Sequence, residues 1–433
     1  LRNWWDDGGV KFFWYSVKGY SLSLAQRLQS EGNRVRWYQE QHNEKTKGTV
    51  GEGLVPVVKT FAPEADEVVV FDFTGAGKKA DELRRRGNAV LGGSVFADAL
   101  EKNRMYATQL MKAAGLKVPA SIEYGSLKEG IEFVKAHPNP LVFKPEGDFP
   151  SWMTMVGDDN ESLAKDMERV ARMHGDKIKF QLQEKVKGTE VSIEGWFNGD
   201  DWIYHSINST LEEKRLLTGS LGPNTGCMGN VVFFYRHARP SLAKQTLFKL
   251  TPFLKRVGYV GPIDVNTKGG YALEFTPRFG YDAVEAMIEL LDMEWGKTLA
   301  DCARGQANQW KVSFDYSVGV TMSVPPFPSH NEDETAKSYG EVVRMPKELW
   351  PHFYMGDVML DEDGDVISAG NDGVVGVMTA VGSTVAAAQK LCYDRVKEVS
   401  VPNVQYRLDI GDRALKEIPQ LLREVSSEKD SAA

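Results

Sequence analysis

Cysteine is scarce in this chain, and its three occurrences, Cys227, Cys302 and Cys392, lie far apart. They form no zinc or redox spacing and no disulfide framework, so a reducing, cytoplasmic setting is expected. Histidine is equally sparse. Seven are scattered over 433 positions, and none belongs to a Ser/His/Asp or Cys/His constellation that would serve as a protein nucleophile. Long hydrophobic runs are missing too. The apolar stretches are short and interrupted by charge, so no membrane span is expected. The first residues, Leu1 to Asp7, lack the layout of a secretory signal. Positive charge is in deficit: a net charge of −8 argues against a general nucleic-acid surface, while leaving room for a local basic pocket.

What remains is the composition of a globular protein, 42% hydrophobic and 26% charged, on a chain long enough for two to four domains. The pattern reads as α/β. Val10 to Tyr15, Val68 to Phe73 and Ala89 to Leu91 are short apolar strand runs, alternating with helical patterns over Ser21 to Gln29 and Lys78 to Arg86. That alternation predicts a small parallel sheet ending near residue 100. Ala97 to Ala114 reads as one helix, and Leu127 to His137 as another between strands Ser121 to Tyr124 and Pro140 to Lys144. Ile178 to Phe197 reads as two antiparallel strands joined near Gly188, Ser241 to Val257 as a helix, and Val260 to Glu274 as a hairpin turning at Lys268 to Gly270. After Trp310 strands dominate, and a boundary near residue 312 is expected. Units 1–100, 101–312 and 313–433 follow.

The most informative stretch is Leu221 to Gly229, Leu-Gly-Pro-Asn-Thr-Gly-Cys-Met-Gly. Its glycines and proline predict a loop. Glycines let backbone N–H groups approach an anion closely, and Lys214 and Arg215 just before it add cations. Read from composition alone, an unliganded Gly-rich hairpin loop fits as well. Glu274 and Thr276 share one face of a strand by the period of two. If the hairpin turn has three residues, Asp264 lies across from Glu274, and two such carboxylates suit Mg²⁺.

Lys214-Arg215 followed by Gly222-Pro223-Asn224-Thr225-Gly226-x-Met228-Gly229 resembles the signature of phosphoribosylamine–glycine ligases, the glycinamide ribonucleotide synthetases of the ATP-grasp class. Glu274-Phe275-Thr276-Pro277-Arg278-Phe279-Gly280 and Arg407-Leu408-Asp409-Ile410-Gly411-Asp412-Arg413-Ala414 resemble two further segments of that family, in the same order. The resemblance runs over nearly the whole chain. It implies an ATP-grasp fold with a Rossmann-like N-terminal domain and a mostly β C-terminal domain. It implies ATP and Mg²⁺ (or Mn²⁺) as cofactors, with an amino acid and an amine acceptor as small-molecule partners. A nucleotide is one candidate acceptor, which would place the chain in or beside purine nucleotide synthesis. A monomer or homodimer is expected.

By the same resemblance, Lys144 and Arg104 would meet the ATP phosphates, with Arg104 standing where the family carries lysine. The backbone of Glu184, Lys185 and Val186 would read the adenine edge, and Glu190 would suit the ribose or a metal-linked role. Glu274, Asp264 and Thr276 would hold the metal. Arg278, Lys214 and Arg215 would stabilise the transferring group, and Lys18, Gly19 and Asp72 would face the acceptor. Thr276 replaces the family's asparagine. The Gly-rich segment that covers the phosphates becomes Pro145 to Trp152, with acids at Glu146 and Asp148. The acceptor side is rewritten most, at Lys18 to Leu24, Phe71 to Gly75 and Tyr281 to Ala283. Two alternatives therefore stay open: a ligase acting on a modified nucleotide or base, and a nucleotide-binding protein without turnover.

Overall fold

A computed structural model describes residues 9–46, 48–146, 153–157, 159–235, 240–306, 309–329 and 331–427. Most of the phosphate-covering segment, from Gly147 to Trp152, lies outside them. The chain opens with β1 (Lys11–Ser16), α1 (Leu22–Ser30), β2 (Arg34–Gln39), β3 (Val68–Phe71), α2 (Gly77–Arg85) and β4 (Val90–Leu91). These strands form a parallel sheet in the order β2-β1-β3-β4. Central β1 is apolar on both faces because parallel strands are covered on both. The sequence reading anticipated this sheet but missed β2, whose alternation of arginines with Val35 and Trp37 hides a half-buried strand.

The expected single helix over 97–114 is two, α3 (Val95–Lys102) and α4 (Arg104–Ala113). Asn103 breaks it: the residue adopts an extended backbone and its side chain accepts the Tyr106 N–H as an N-cap. A four-stranded sheet follows, built from β5 (Ser121–Tyr124), β6 (Leu141–Pro145), β7 (Met155–Val156) and β8 (Phe180–Glu184) in the order β5-β8-β6-β7. It is backed by α5 (Leu127–Ala136) and α6 (Asn160–His174), and it packs a hydrophobic core of its own around Phe143, Phe180 and Leu163.

The larger sheet has eight strands. They are β9 (Glu190–Asn198), β10 (Asn208–Glu212), β13 (Gly229–Phe234), β14 (Val260–Lys268), β15 (Tyr271–Thr276), β16 (Tyr316–Ser323), β17 (Phe353–Met355) and β20 (Val374–Gly382). Here the expectation for 178–197 is corrected. β8 and β9 do not pair with each other; each belongs to a different sheet, and residues 185–189 cross between them. A second correction concerns 241–257, which forms α7 (Ser241–Gln245) and α8 (Leu247–Val257) either side of a kinked Thr246. A third concerns Leu221 to Gly229. β11 (Arg215–Leu217) and β12 (Leu221–Asn224) pair as a short ribbon, and Gly229 already opens β13. Edge pairing tolerates Pro223 because it needs no continuous ladder.

The eight-stranded sheet continues through β16, β20 and β17, so it runs across residue 312. Ribbon β18 (Val358–Leu360) and β19 (Val366–Ser368) lies beside it, with helices α9 (Ala283–Leu290), α10 (Trp295–Ala303), α11 (Glu332–Thr335), α12 (Val385–Val396) and α13 (Asp412–Ser427). One core joins the first sheet to this one. Trp14 stacks on Trp37 at 6.3 Å and on Phe279 at 6.0 Å, and Phe279 meets Trp196 at 5.5 Å. Phe279 thus pins the chain just after β15 against the first sheet. Among the described residues, no helix is long and apolar enough to cross a membrane.

Candidate functional site

The polar side chains of interest share one face of the eight-stranded sheet. Along β9, Glu190, Ser192 and Glu194 alternate with the buried Val191 and Ile193. Their partners across the ladder are Lys268, Asn266 and Asp264 on β14, and Thr210 and Asn208 on β10. The turn between β14 and β15 has two residues, Gly269 and Gly270, both with positive φ, as a tight hairpin requires. A register shift follows at Asn266/Thr267. Asn266, not Asp264, therefore faces Glu274, and Asp264 faces Thr276. The three-residue turn expected from the sequence is corrected, but the shift is even, so all four residues keep to one face.

Lys214 is the hub of this face. Its Nζ lies 3.4 Å from Glu190, 3.6 Å from Glu212 and 3.7 Å from Glu274. Burial alone would weaken its charge. The carboxylates of Glu212, Glu274, Glu190 and Asp264 outweigh that and hold the ammonium protonated. The Glu274 side chain is 47% exposed. Burial acts to raise its pKa, yet Lys214, Lys144, Arg104 and Arg278 bring it down to about 2, with solvent sharing in the stabilisation of its charge. Asp264 behaves oppositely. It is buried, and burial followed by Glu212 and Glu194 drives it well above the usual carboxylate range. Burial likewise lifts Glu194 to about 7, against hydrogen bonds from Trp196 and Asn208.

The four-stranded sheet supplies Lys144, next to last in β6. It does not snorkel to water; it is 7% exposed. Burial lowers its pKa to about 8, and the groups it senses are Glu274, Arg104, Lys214 and Glu190. Arg104 opens α4, with its Nε buried and unpaired. At the crossing between the sheets, the Glu184 and Lys185 N–H groups already donate to the Ala120 and Pro140 carbonyls at 2.9 Å each. Of the three residues expected to read an adenine edge, Val186 is the one whose N–H makes no such bond among those described.

The glycine-rich segment is less of an anion nest than its composition suggests. Thr225 N–H and Met228 N–H donate to the Lys214 and Glu213 carbonyls, and Thr225 Oγ1 also reaches Lys214 O. Thr225, Met228 and Gly229 are buried, whereas Gly222, Pro223 and Gly226 are exposed and Asn224 is half-buried. Gly229 has φ of +141°, and a Cβ there would stand 2.6 Å from Gly319 O, so only glycine fits. Arg215 donates to Gly222 O at 2.7 Å and closes the ribbon, away from the Lys214 hub.

Arg278 is committed. Its guanidinium pairs with Glu101 at 2.9 Å, donates to Phe279 O, and lies 4.6 Å from the ring centres of both Phe73 and Tyr281. The expected acceptor residues sit apart from the Lys214 cluster, at the ends of β1 and β3. Lys18 is exposed, Gly19 donates to Ser16 Oγ, and Asp72 is fully buried with Oδ2 accepting from Ser16 at 2.6 Å. Among the described residues, no three Asp, Glu, His or Cys side chains are arranged to hold a metal ion. The donors present are the open, ionised Glu274, the neighbouring Thr276, and Asn266, whose buried Oδ1 has no partner. They fit a divalent cation whose other ligands come from phosphate and water. Asp264, across from Thr276, is more deeply buried than Glu274, and its Oδ1 likewise has no partner.

The sequence reading missed Asn266, Glu194, Glu212 and Asn230. Asn230 is buried opposite Glu212 with both amide atoms unpaired. The alternation in Glu190-Val-Ser-Ile-Glu194 and Asn208-Ser-Thr-Leu-Glu212 carries the signal that would have found Glu194 and Glu212.

Residues 102–257 match the family model described as phosphoribosylglycinamide synthetase, ATP-grasp (A) domain. The chain is 24% identical over 380 residues to phosphoribosylamine–glycine ligase of Streptococcus suis, covering 82% of this chain and 86% of that one. It is 27% identical over 352 residues to the protein of that name from Leifsonia xyli subsp. xyli, covering 77% and 81%. The chain is thus similar to this family over most of its length, at low identity. Its fold agrees. The phosphoribosylamine–glycine ligase structure from Thermotoga maritima superposes with a TM-score of 0.74 at 21% identity, over 93% of this chain and all of that one. N5-carboxyaminoimidazole synthetase from Staphylococcus aureus superposes at 0.57 and 14% identity, over 90% and 99%. The overall fold is therefore shared with proteins of more than one name.

Proposed function

We propose that this protein is an ADP-forming carboxylate–amine ligase, which activates glycine or another small amino acid on ATP and joins it to an amine. The observation that carries this reading is electrostatic. Lys144 of one sheet senses Glu274, Glu190 and Lys214 of the other, although the two sheets pack separate cores. Facing charges of this kind suit a triphosphate: adenine at the 185–189 crossing, ribose toward Glu190, and phosphates between Lys144, Arg104 and Glu274.

The donor carboxylate attacks the γ-phosphorus as the bond to ADP breaks, giving an acyl phosphate. The amine then attacks the acyl carbon, phosphate departs, and the amine gives up a proton. This chemistry relies on positioning and charge neutralisation, so no protein nucleophile is needed. Lys144 and Arg104 act as fixed cations on the phosphate oxygens. Mg²⁺ held at Glu274, beside Thr276 and Asn266, would neutralise the same oxygens. Lys214 orders the carboxylates, and the exposed part of the 222–226 loop lies toward the donor. In this reading residues 1–100 form the acceptor side, 101–312 the ATP-grasp body, and 313–433 a unit that extends its sheet.

The test is ADP release from Mg·ATP with each amino acid in the presence of hydroxylamine, which traps an acyl phosphate as a hydroxamate. Amino-acid-dependent release supports the ligase. Nucleotide binding without any such release favours a second reading, a nucleotide-binding protein without turnover, for which the engagement of Arg278 by Glu101 speaks.

A further inference from the structure

We infer, resting on the placement of phosphates beside Lys144 proposed above, that Gln181 is a further nucleotide-binding residue, whose side-chain amide bridges the Lys144 ammonium and a phosphate oxygen of the bound nucleotide. Register fixes its position. In the ladder between β6 and β8, Lys144 lies directly across from Gln181, and Phe143 across from Leu182. Phe143 and Leu182 belong to the helix-backed core, together with Phe180. Side chains alternate along a strand, so Lys144 and Gln181 share the opposite face, with Cβ atoms roughly 5 Å apart. That face is the one turned toward the larger sheet, because Lys144 senses Glu274, Glu190 and Lys214 from it.

Gln181 is 1% exposed, and neither its Oε1 nor its Nε2 has a hydrogen-bond partner. A buried amide left unpaired costs about 1–3 kcal/mol, which an apolar side chain of the same length would avoid. The groups beside it show what would satisfy it. Lys144 carries N–H donors and no acceptor, so it suits Oε1 and leaves Nε2 in need of an acceptor. Glu123, across from Gln181 on β5, is exposed and leaves Nε2 unpaired. Arg104, whose charge Lys144 also feels, keeps its own Nε buried and unpaired. Donors without acceptors thus stand on both sides of the Lys144 ammonium. A polyphosphate offers acceptors alone, and its charge strengthens each bond it accepts. A side-chain amide also matches the N6 and N7 edge of adenine. The adenine, however, is placed at the 185–189 crossing, which begins four residues further along, about 13 Å at the rise of a strand and beyond the reach of a glutamine side chain.

Calorimetric titration of the full chain with Mg·ATP, without amino acid, tests this. Gln181→Met keeps the length of the side chain and removes both polar atoms. It is expected to bind Mg·ATP about tenfold more weakly, the loss of one hydrogen bond to a charged group. The unliganded variant is expected to melt no lower than wild type, because an unsatisfied amide has gone. Gln181→Glu keeps an acceptor, loses the donor and adds negative charge, so it is expected to bind more weakly still. Wild-type affinity in Gln181→Met overturns the inference. A lowered melting midpoint of that variant without ligand also overturns it, by assigning the amide to the fold. So does binding by Gln181→Glu as tight as by Gln181→Met, which would set the amide against a donor and not a phosphate. Lys144→Met separates the two levels of failure. If it weakens binding and Gln181→Met does not, this inference fails alone. If wild type does not bind Mg·ATP, or Lys144→Met binds it as wild type does, the phosphate placement fails and the role of Gln181 with it.

Discussion

The Arg278 guanidinium and the Glu101 carboxylate lie 2.9 Å apart, tying the exit of β15 to the end of α3. Both side chains are largely buried, at 16% and 22% exposure. Removing one partner strands a desolvated charge. Glu101→Ala is therefore expected to lower stability by about 3 kcal/mol, read as a fall in the denaturation midpoint, with Glu101→Gln losing less. An unchanged midpoint would show that the pair contributes nothing.

Glu274 is the exposed, ionised carboxylate beside Lys214. Glu274→Ala is expected to cut amino-acid-dependent hydroxamate formation by on the order of a hundredfold. Its exposure predicts a fold unchanged by circular dichroism. Wild-type turnover in this variant would sink the metal assignment.

Lys144 gives a pH dependence of definite sign. Burial lowers its pKa to about 8, so its charge is present below that value and lost above it. Phosphate binding requires the charge. Nucleotide affinity should therefore fall as pH rises through about 8, by roughly tenfold per unit for one linked proton. Titration with a fluorescent ATP analogue across this range reads the slope. Lys144→Met should bind weakly at every pH and abolish it, and a slope retained in that variant would assign the proton elsewhere.

Arg407 is 1% exposed and pairs with Asp409 at 2.8 Å and Glu213 at 3.3 Å. It also donates to Arg215 O at 3.0 Å, bracing the segment that carries Lys214. Arg407→Ala is expected to cost about 3–5 kcal/mol, seen in urea denaturation. A loss under about 1 kcal/mol would mean that Glu213 and Asp409 find solvent or other partners.

Much of this architecture was legible in advance, though unevenly. The β1–α1 and β3–α2–β4 units were readable because buried parallel strands are short apolar runs and their helices are periodic. β2 escaped because alternating arginine resembles a surface segment. The break at Asn103 was invisible to periodicity, since Asn103 caps α4 without disturbing the spacing of apolar residues. At the site, Lys144, Glu190, Lys214 and Glu274 were named from separate segments, and the fold brings Lys214 within 3.4 Å of Glu190 and 3.7 Å of Glu274. Asn266 was missed because the hairpin register depends on a two-residue turn and a bulge, both set by backbone conformation. Arg278 was expected to be available to a phosphoryl group. Its engagement by Glu101, 177 positions earlier in the chain, could not be read from either segment alone.

By itself the sequence determined the local chemistry of this protein: which segments form strands and helices, which glycines must turn, and which charged residues stand at strand ends. These follow from propensity and period, which act over a few residues. Tertiary structure decided how those charges are spent. It separated β8 from β9 into two sheets. It lowered the pKa of Glu274 and raised that of Asp264 on the same face, and it closed Arg278 onto Glu101 between two aromatic rings. Desolvation and Coulomb energies depend on distances between residues far apart in the chain, and only the folded packing sets those distances.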